Sequence, residues 1–525
     1  MLVEEMELYG RKNVKVFTEN RPKNIIEVLQ QSMASFPEKA SVVTEEASLS
    51  YTELDALSTM IAANLQQKCG IQKGDRIAAL IGNRYHFPLV LFACLKLGAI
   101  MVPINVKLTA EEINYIIGHS DVKALISENE HLIKVEEIKA ENPYIIPPDE
   151  NIFVIDGENT FEKLLQENML TKVEVDELDP ALILYTSGTT GRPKGAVLTH
   201  INVIHSLINF QHVFQTNSDH KTLIAVPMFH VTGLVGQLLH MIYIGGTAYS
   251  MERYQNKKYI EYILKHRINF VFNVPTIFIM MSTEEAFKNN SFEFVTKVAF
   301  GGAPIYQQTF SMLRDVFPNA ELHNAYGSTE TTSPATLMPV KYPESKVTSV
   351  GQAVPVADIK VVDANGNECP TGEVGELYIK GPMVIKEYWL NPEANESNFT
   401  DGYWHSGDLG YVDEDGYFYI RDRKKDMINR AGEKIFSIEV EDVLKKHEHI
   451  KEAAVVGIPD PLYGERVKAY VVSDHFTEQH IPTIKEHCLK HLAKFKIPEL
   501  YEFIPELPRN ASGKILKYAL KRGNQ

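Results

Sequence analysis

One stretch constrains this chain more than any other: Tyr185-Thr186-Ser187-Gly188-Thr189-Thr190-Gly191-Arg192-Pro193-Lys194-Gly195. It follows the apolar run 181–184, which reads as a short buried strand, and strand character returns at 196–198. Three glycines, four Ser/Thr hydroxyls and two cations share these eleven positions. Glycines let backbone N–H groups converge on an anion, hydroxyls add short donors, and a lysine brings a mobile point charge. That combination suits a polyphosphate. The spacing departs from the GxxxxGK[ST] nucleotide loop, because Gly191 follows Gly188 by three positions and Lys194 comes after Arg192-Pro193.

A chain of 525 residues exceeds a single ordinary core, so two or more domains are expected. With 44% apolar and 23% charged residues it falls in the soluble globular class. A net charge of −15 argues against nucleic acid or an anionic membrane surface as the main partner. The four cysteines, Cys69, Cys94, Cys369 and Cys488, lack paired spacing, which argues against zinc and disulfide frameworks. Residues 1–21 carry no apolar core of a signal peptide, and the apolar stretch 87–102 contains Pro88 and is too short to span a bilayer. A cytoplasmic protein without a transmembrane segment is expected.

Strand and helix patterns alternate through the first 300 residues. Helices are expected over 24–36, from Thr52 as cap to 67, over 87–97 and over 108–117 with Thr109 as cap, with strands at 48–51, 77–81, 100–105 and 122–126. Residues 137–176 read as a variable connection with a small helix at 160–167. Further on come helix 200–214, strand 222–226, helix 259–266 and strands 270–274 and 298–300. This alternation predicts an α/β architecture. From about 351 the pattern turns to strands and tight turns, including Asn365-Gly366, so a β-rich subdomain is expected. The charge run Arg421-Asp422-Arg423-Lys424-Lys425-Asp426 precedes fresh α/β patterning and marks the best boundary: a large domain at 1–421 with mixed sheets, and a small α+β domain at 422–525.

Six further clusters carry chemistry: Phe229-His230-Val231-Thr232-Gly233, Gly301-Gly302-Ala303-Pro304, Asn324-Ala325-Tyr326-Gly327-Ser328-Thr329-Glu330-Thr331, Trp404-His405-Ser406-Gly407-Asp408, the Arg423 to Lys434 stretch and Pro508-Arg509-Asn510-Ala511-Ser512-Gly513-Lys514. With the glycine-rich loop they resemble the adenylate-forming superfamily, in the acyl-CoA synthetase and 4-coumarate-CoA ligase-like branch. The resemblance implies an AMP-forming acid–thiol ligase using ATP, Mg²⁺ and coenzyme A. It makes the loop from Thr186 through Ser187, Gly188, Thr189, Thr190 and Gly191 to Lys194 the cradle of the departing pyrophosphate, with Thr186 and Glu330 on the metal. Gly302, Ala303, Pro304, Asn324, Ala325 and Tyr326 take the adenine, Thr329 the α-phosphate, and Asp408 and Arg423 the ribose. Lys425 becomes a hinge about which the small domain is mobile. Gly432 and Lys434 lie on the thioester-forming face, and Lys514 bridges the attacking carboxylate and the α-phosphate.

By the same resemblance His230, Val231, Thr232, Gly301, Gly302, Ala325, Ser333 and Pro334 line the acid pocket. Their small, mostly apolar character and the absence of an aspartate in 229–232 favour a fatty acid over an amino acid. Alternatives are an aryl-CoA ligase of coumarate or succinylbenzoate type, a stand-alone adenylation enzyme loading a carrier protein, and a noncatalytic nucleotide-binding scaffold. The sequence leaves a homodimer open.

Overall fold

The structure is a computed structural model that describes residues 2–157, 160–186, 192–303, 305, 307–431, 433–509 and 514–522. The chain forms two compact units. The first holds the chain up to Val347 with Gly351–Asp358 and Ile379–Trp404; the second holds Thr348–Val350, Ile359–Tyr378 and everything from His405. The β-rich stretch from about 351 is thus divided between them.

Two sheets organise the first unit. One runs Glu387–Tyr388, Lys194–Thr199, Pro180–Thr186, Ile100–Pro103, Arg76–Leu80, Val122–Ser127, Ile152–Val154. The other has nine strands, among them Glu321–Tyr326, Lys297–Gly301, Phe270–Asn273, Lys221–Ile224 and Thr247–Ser250, which are neighbours in that order and parallel throughout. Every residue of His86–Lys96 is buried, because this helix lies on Arg76–Leu80 and Ile100–Pro103 while Tyr51–Lys68 covers its other side. The helix His200–Phe214 reaches both sheets, touching Lys194–Thr199 and stacking Phe210 and Phe214 against Phe270 and Phe272. Helices packed on mainly parallel strands are what the alternating pattern predicts.

The second unit is α+β. Gly464–Val472 pairs antiparallel with Glu452–Asp460 and with Ile428–Arg430, and parallel with Leu500–Phe503. Ser437–Lys445 and Ile481–Leu489 close a core of Val440, Leu444, Val455, Val467 and Ile484. Among the described residues, no helix is long and apolar enough to cross a membrane.

Local details depart from expectation where tertiary bonding outweighs pattern. The helix at Tyr51 is capped by Ser50, not Thr52: Ser50 and Glu53 exchange bonds at 3.1 and 2.8 Å, while the Thr52 hydroxyl donates to Pro37 O at 3.0 Å. The connection 137–176 contains the end of a helix, Leu132–Glu141, and a strand, Ile152–Val154, parallel to Val122–Ser127. The small helix there is a single 3₁₀ turn, Phe161–Leu164, held by its two buried ends. Three-residue strands carry no readable periodicity.

His86, His200, His205 and His240 are among the buried histidines of this unit. His205 Nε2 accepts from Phe17 N–H at 3.1 Å and His200 Nδ1 from Ile25 N–H at 3.2 Å, so the neutral ring is the bonded form. Burial lowers His86, His205 and His240 to about 3 and His200 to about 4. Their folded values lie below the ordinary histidine value, so between the two the unfolded chain binds the extra proton and stability rises with pH, by about 1.4 kcal/mol per unit for each group. Stability is therefore expected to fall as pH drops from about 7 to about 5, and His205→Gln to make the slope shallower by about 1.4 kcal/mol per unit. Urea melts at several pH values measure it; an unchanged slope would exonerate His205.

Candidate active site

The glycine-rich loop closes an antiparallel hairpin, with Thr186 opposite Lys194 and Tyr185 opposite Gly195. Ser187, Gly188, Thr189, Thr190 and Gly191 lie outside the described residues. At the hairpin mouth the Thr186 hydroxyl donates to Glu330 Oε1 at 3.4 Å, and the Tyr388 hydroxyl donates to the same oxygen at 3.1 Å. Trp404 Nε1–H donates to the Tyr388 hydroxyl oxygen at 3.1 Å, and Lys194 Nζ lies 5.1 Å from the centre of the Tyr388 ring. Burial, then the Glu330 charge, pushes the Tyr388 phenol well above its ordinary range, so it stays a donor. Backbone bonds from Ile385 N to Glu330 O (2.9 Å), Lys386 N to Val197 O (3.2 Å) and Trp389 N to Gly195 O (2.7 Å) fix the strand that carries Tyr388. Tyr388 and Trp404 complete this cluster; Trp404 opens a motif marked for Asp408, whereas no motif in the sequence contains Tyr388.

The remaining candidates of the first unit follow the carboxyl ends of adjacent parallel strands, where open α/β sheets bind ligands. Lys297–Gly301 runs beside Glu321–Tyr326 with Gly301 opposite Ala325. A Cβ on Gly301 would stand 2.3 Å from Ala325 O, so only glycine permits this approach. Gly302 and Ala303 continue that edge; Pro304 lies outside the described residues. Asn324 is buried and Tyr326 half-buried. The turn after Tyr326 is tight: a Cβ on Gly327 would collide with Ser333 O. Thr332 and Ser333 take φ of 51° and 92°, and Thr331 Oγ1 accepts from Ser328 N–H at 2.9 Å and donates to Ser333 O at 2.9 Å. Thr329 is half-buried in this turn and Pro334 is buried.

Beyond the strand Lys221–Ile224 the chain passes through Phe229 and His230, whose rings lie 4.8 Å apart, into Val231 and a π-helix, Thr232–Leu239. Such wide turns cluster at functional sites. Gly233 allows the entry, since a Cβ there would be 2.6 Å from Pro227 O. Asn83 holds this segment from another loop: its Oδ1 accepts from Met228 N–H at 2.8 Å and its Nδ2 donates to Val226 O at 3.3 Å. Sequence reasoning passed over Asn83, whose only signal is its position just after a buried strand.

In the second unit Asp408 stands opposite Arg423, with Nε to Oδ1 3.3 Å. Burial, then the Arg423 charge, holds the Lys425 ammonium below its ordinary value. Lys434 is exposed in the strand Glu433–Ile435; Gly432 lies outside the described residues. Lys514 is exposed, next to an antiparallel bridge between Arg509 and Ile515.

Gly301→Ala is expected to push the strand edge off Ala325 and lower stability by about 1–3 kcal/mol. Denaturant unfolding of the variant measures it, and a native midpoint would show that the edge yields without cost.

Residues 29–389 match the family described as AMP-binding enzyme, and residues 439–514 its C-terminal domain. The chain is 34% identical over 492 residues to a fatty acid–[acyl-carrier-protein] ligase, ScoC, of Streptomyces coeruleorubidus, covering 92% of this chain and 93% of that protein. It is 32% identical over 493 residues to 2-succinylbenzoate–CoA ligase of Bacillus licheniformis, covering 94% and 98%. Among solved structures, o-succinylbenzoate coenzyme A synthetase (MenE) from Bacillus subtilis, in complex with ATP and magnesium ion, superposes with a TM-score of 0.84 at 29% identity, covering 96% of this chain and 100% of that one. With both family domains matched in order, this chain belongs to the AMP-binding enzymes of the adenylate-forming superfamily.

Proposed function

We propose that the protein is an ATP-dependent carboxylic acid–CoA ligase, acting on a fatty acid through an acyl-AMP intermediate. The observation that carries the reading is the Thr186–Glu330 contact, which joins the glycine-rich hairpin to the turn after Tyr326 at 3.4 Å. Two hard oxygen donors at that spacing fit neighbouring ligands of octahedral Mg²⁺, about 3 Å apart. Thr186 and Glu330 are therefore the residues to hold it. When bound, Mg²⁺ offsets phosphate charge.

The chemistry runs in two displacements. A carboxylate oxygen of the acid attacks the α-phosphorus of ATP, the bond to the bridging oxygen breaks, and pyrophosphate leaves. The thiolate of CoA then attacks the acyl carbonyl, and AMP departs from the thioester. Neither step needs a strong base, so positioning and charge dominate. Lys194 and the loop it closes receive pyrophosphate, Tyr326 and the Gly301–Gly302 edge take adenine, and Asp408 with Arg423 the ribose. Lys514 bridges carboxylate and α-phosphate. We place the functional boundary at 421/422, with Lys425 as pivot, so that the small domain presents Lys514 for the first step and the 432–434 face for the second.

A fatty acid is supported by the small apolar lining at Gly301, Ala325 and Pro334, and by the fatty-acid-activating relative. A second reading, an aryl acid, is favoured by the succinylbenzoate ligase at nearly the same identity. The acceptor of the first relative is a carrier protein, so that acceptor stands as the alternative to CoA.

Pyrophosphate release across straight-chain, aromatic, succinylated aromatic and amino acids, with and without CoA, separates these readings. Lys514→Ala is expected to cut acyl-AMP formation by at least about 10²-fold; unchanged first-step turnover removes its role. Lys425→Pro should slow transfer to CoA more than adenylation, judged by single-turnover assays of each half-reaction. Equal losses in both would reject the pivot.

A further inference from the structure

The strand Val122–Ser127 ends in a tight turn, Asn129–His131, which brings Glu128 and His131 onto one side. Both are buried, at 3% and 8% exposure. Glu128 uses Oε1 to accept from Gly82 N–H at 2.6 Å, and its Oε2 lies 3.7 Å from His131 Nε2. Glu130 Oε1 lies 3.6 Å from the same nitrogen. Both separations exceed a hydrogen bond, and His131 Nε2 is buried with no hydrogen-bond partner. A buried imidazole nitrogen aimed at two carboxylates and bonded to neither is a costly arrangement for packing alone.

We propose that Glu128, Glu130 and His131 form a site for one divalent transition-metal ion of the zinc class. Their ligand atoms lie within 4.8 Å of one another, the one such group of His, Cys, Asp and Glu side chains among the described residues. Bonds of 2.0–2.1 Å around tetrahedral zinc set neighbouring ligands about 3.4 Å apart, so the two nitrogen–oxygen separations need contract only slightly. An imidazole with two carboxylates selects zinc over magnesium, which prefers oxygen and retains its waters. None of the four cysteines takes part, so the site lies outside what their spacing argued against. Gly82 N–H already orients the Glu128 carboxylate, as outer partners of metal ligands do.

The cations nearby are accounted for. Arg253 holds both oxygens of Glu130 at 2.7 and 2.6 Å, but its side chain is 68% exposed and the pair is easily exchanged for solvent. Lys134 gives its ammonium to Val106 O and Leu108 O, and Arg84 is engaged by Glu46 and Asp156. The ion displaces Arg253 and takes water as its fourth ligand. Because Gly82 precedes Asn83, it also braces the loop that holds Val226 and Met228; that consequence for the acid pocket rests on the function proposed above, whereas binding itself does not.

The test is titration of the chelator-treated, untagged full chain with ZnCl₂ in excess Mg²⁺, by calorimetry and by metal analysis after gel filtration. One zinc per chain is expected, with a raised thermal midpoint. His131→Gln and the surface substitution Glu130→Gln should each weaken it at least about tenfold, while Glu330→Gln leaves it intact. No zinc bound, or zinc bound equally by both site variants, overturns the proposal.

Discussion

One carboxylate oxygen ties the candidate active site of the first unit together. Glu330 Oε1 accepts from Thr186 at the mouth of the glycine-rich hairpin and from Tyr388 on the strand laid against that hairpin. Its backbone oxygen accepts from Ile385. Thr186 belongs to the seven-stranded sheet, whereas Glu330 follows the last parallel strand of the nine-stranded one. The two sheets therefore meet, at the site, in hydrogen bonds whose acceptor is an ionisable oxygen. An apolar contact would hold the sheets equally well but would offer nothing to a cation. A carboxylate does both.

That arrangement depends on strain accepted nearby. Thr332 and Ser333 sit in left-handed backbone, a conformation that costs non-glycine residues of order 1–3 kcal/mol each. The Thr331 hydroxyl fixes the turn by accepting from Ser328 and donating to Ser333, and Ala335 N–H bonds back to Tyr326 O at 2.9 Å. The turn is over-determined, and so Glu330 and Tyr326 leave it in set directions. Gly327 is the counterpart: it is the point where the folded turn leaves no room for a side chain.

The legible part of this site was the part written in local chemistry. Glycine and hydroxyl density marked 185–195, strand followed by glycine marked 298–304, and one helix start followed its cap at Thr109. What escaped depends on residues distant in sequence. Tyr388 matters only because it lies 58 residues from Glu330 in the chain and 3.1 Å in space. Asn83 matters because of Val226 and Met228, more than a hundred residues away. The π-helix Thr232–Leu239 has the composition of an ordinary buried helix, and nothing local announces its wider turn. Such features arise from packing between elements, which single-chain patterning does not encode.

The second unit shows the same economy in a different currency. Asp422, one residue before Arg423, is buried; its Oδ1 accepts from the Ser437 hydroxyl at 3.0 Å and its other oxygen from Ser437 N–H at the start of the helix Ser437–Lys445. Lys517, three residues after Lys514, bonds Ser437 Oγ at 2.5 Å and pairs with buried Glu441 at 2.7 Å. Burial opposes the charge on Lys517, but Glu441 and Asp422 outweigh it and hold the ammonium above its ordinary value. Breaking one member of such a group would strand a buried charge, a loss far larger than the net worth of the intact pair. The network thus locks three pieces of the unit to one another: the strand Phe418–Arg423, the helix Ser437–Lys445 and the segment following Lys514. Lys514 stands three residues before the anchored Lys517 ammonium, so its position is set from the helix Ser437–Lys445 through a short tether.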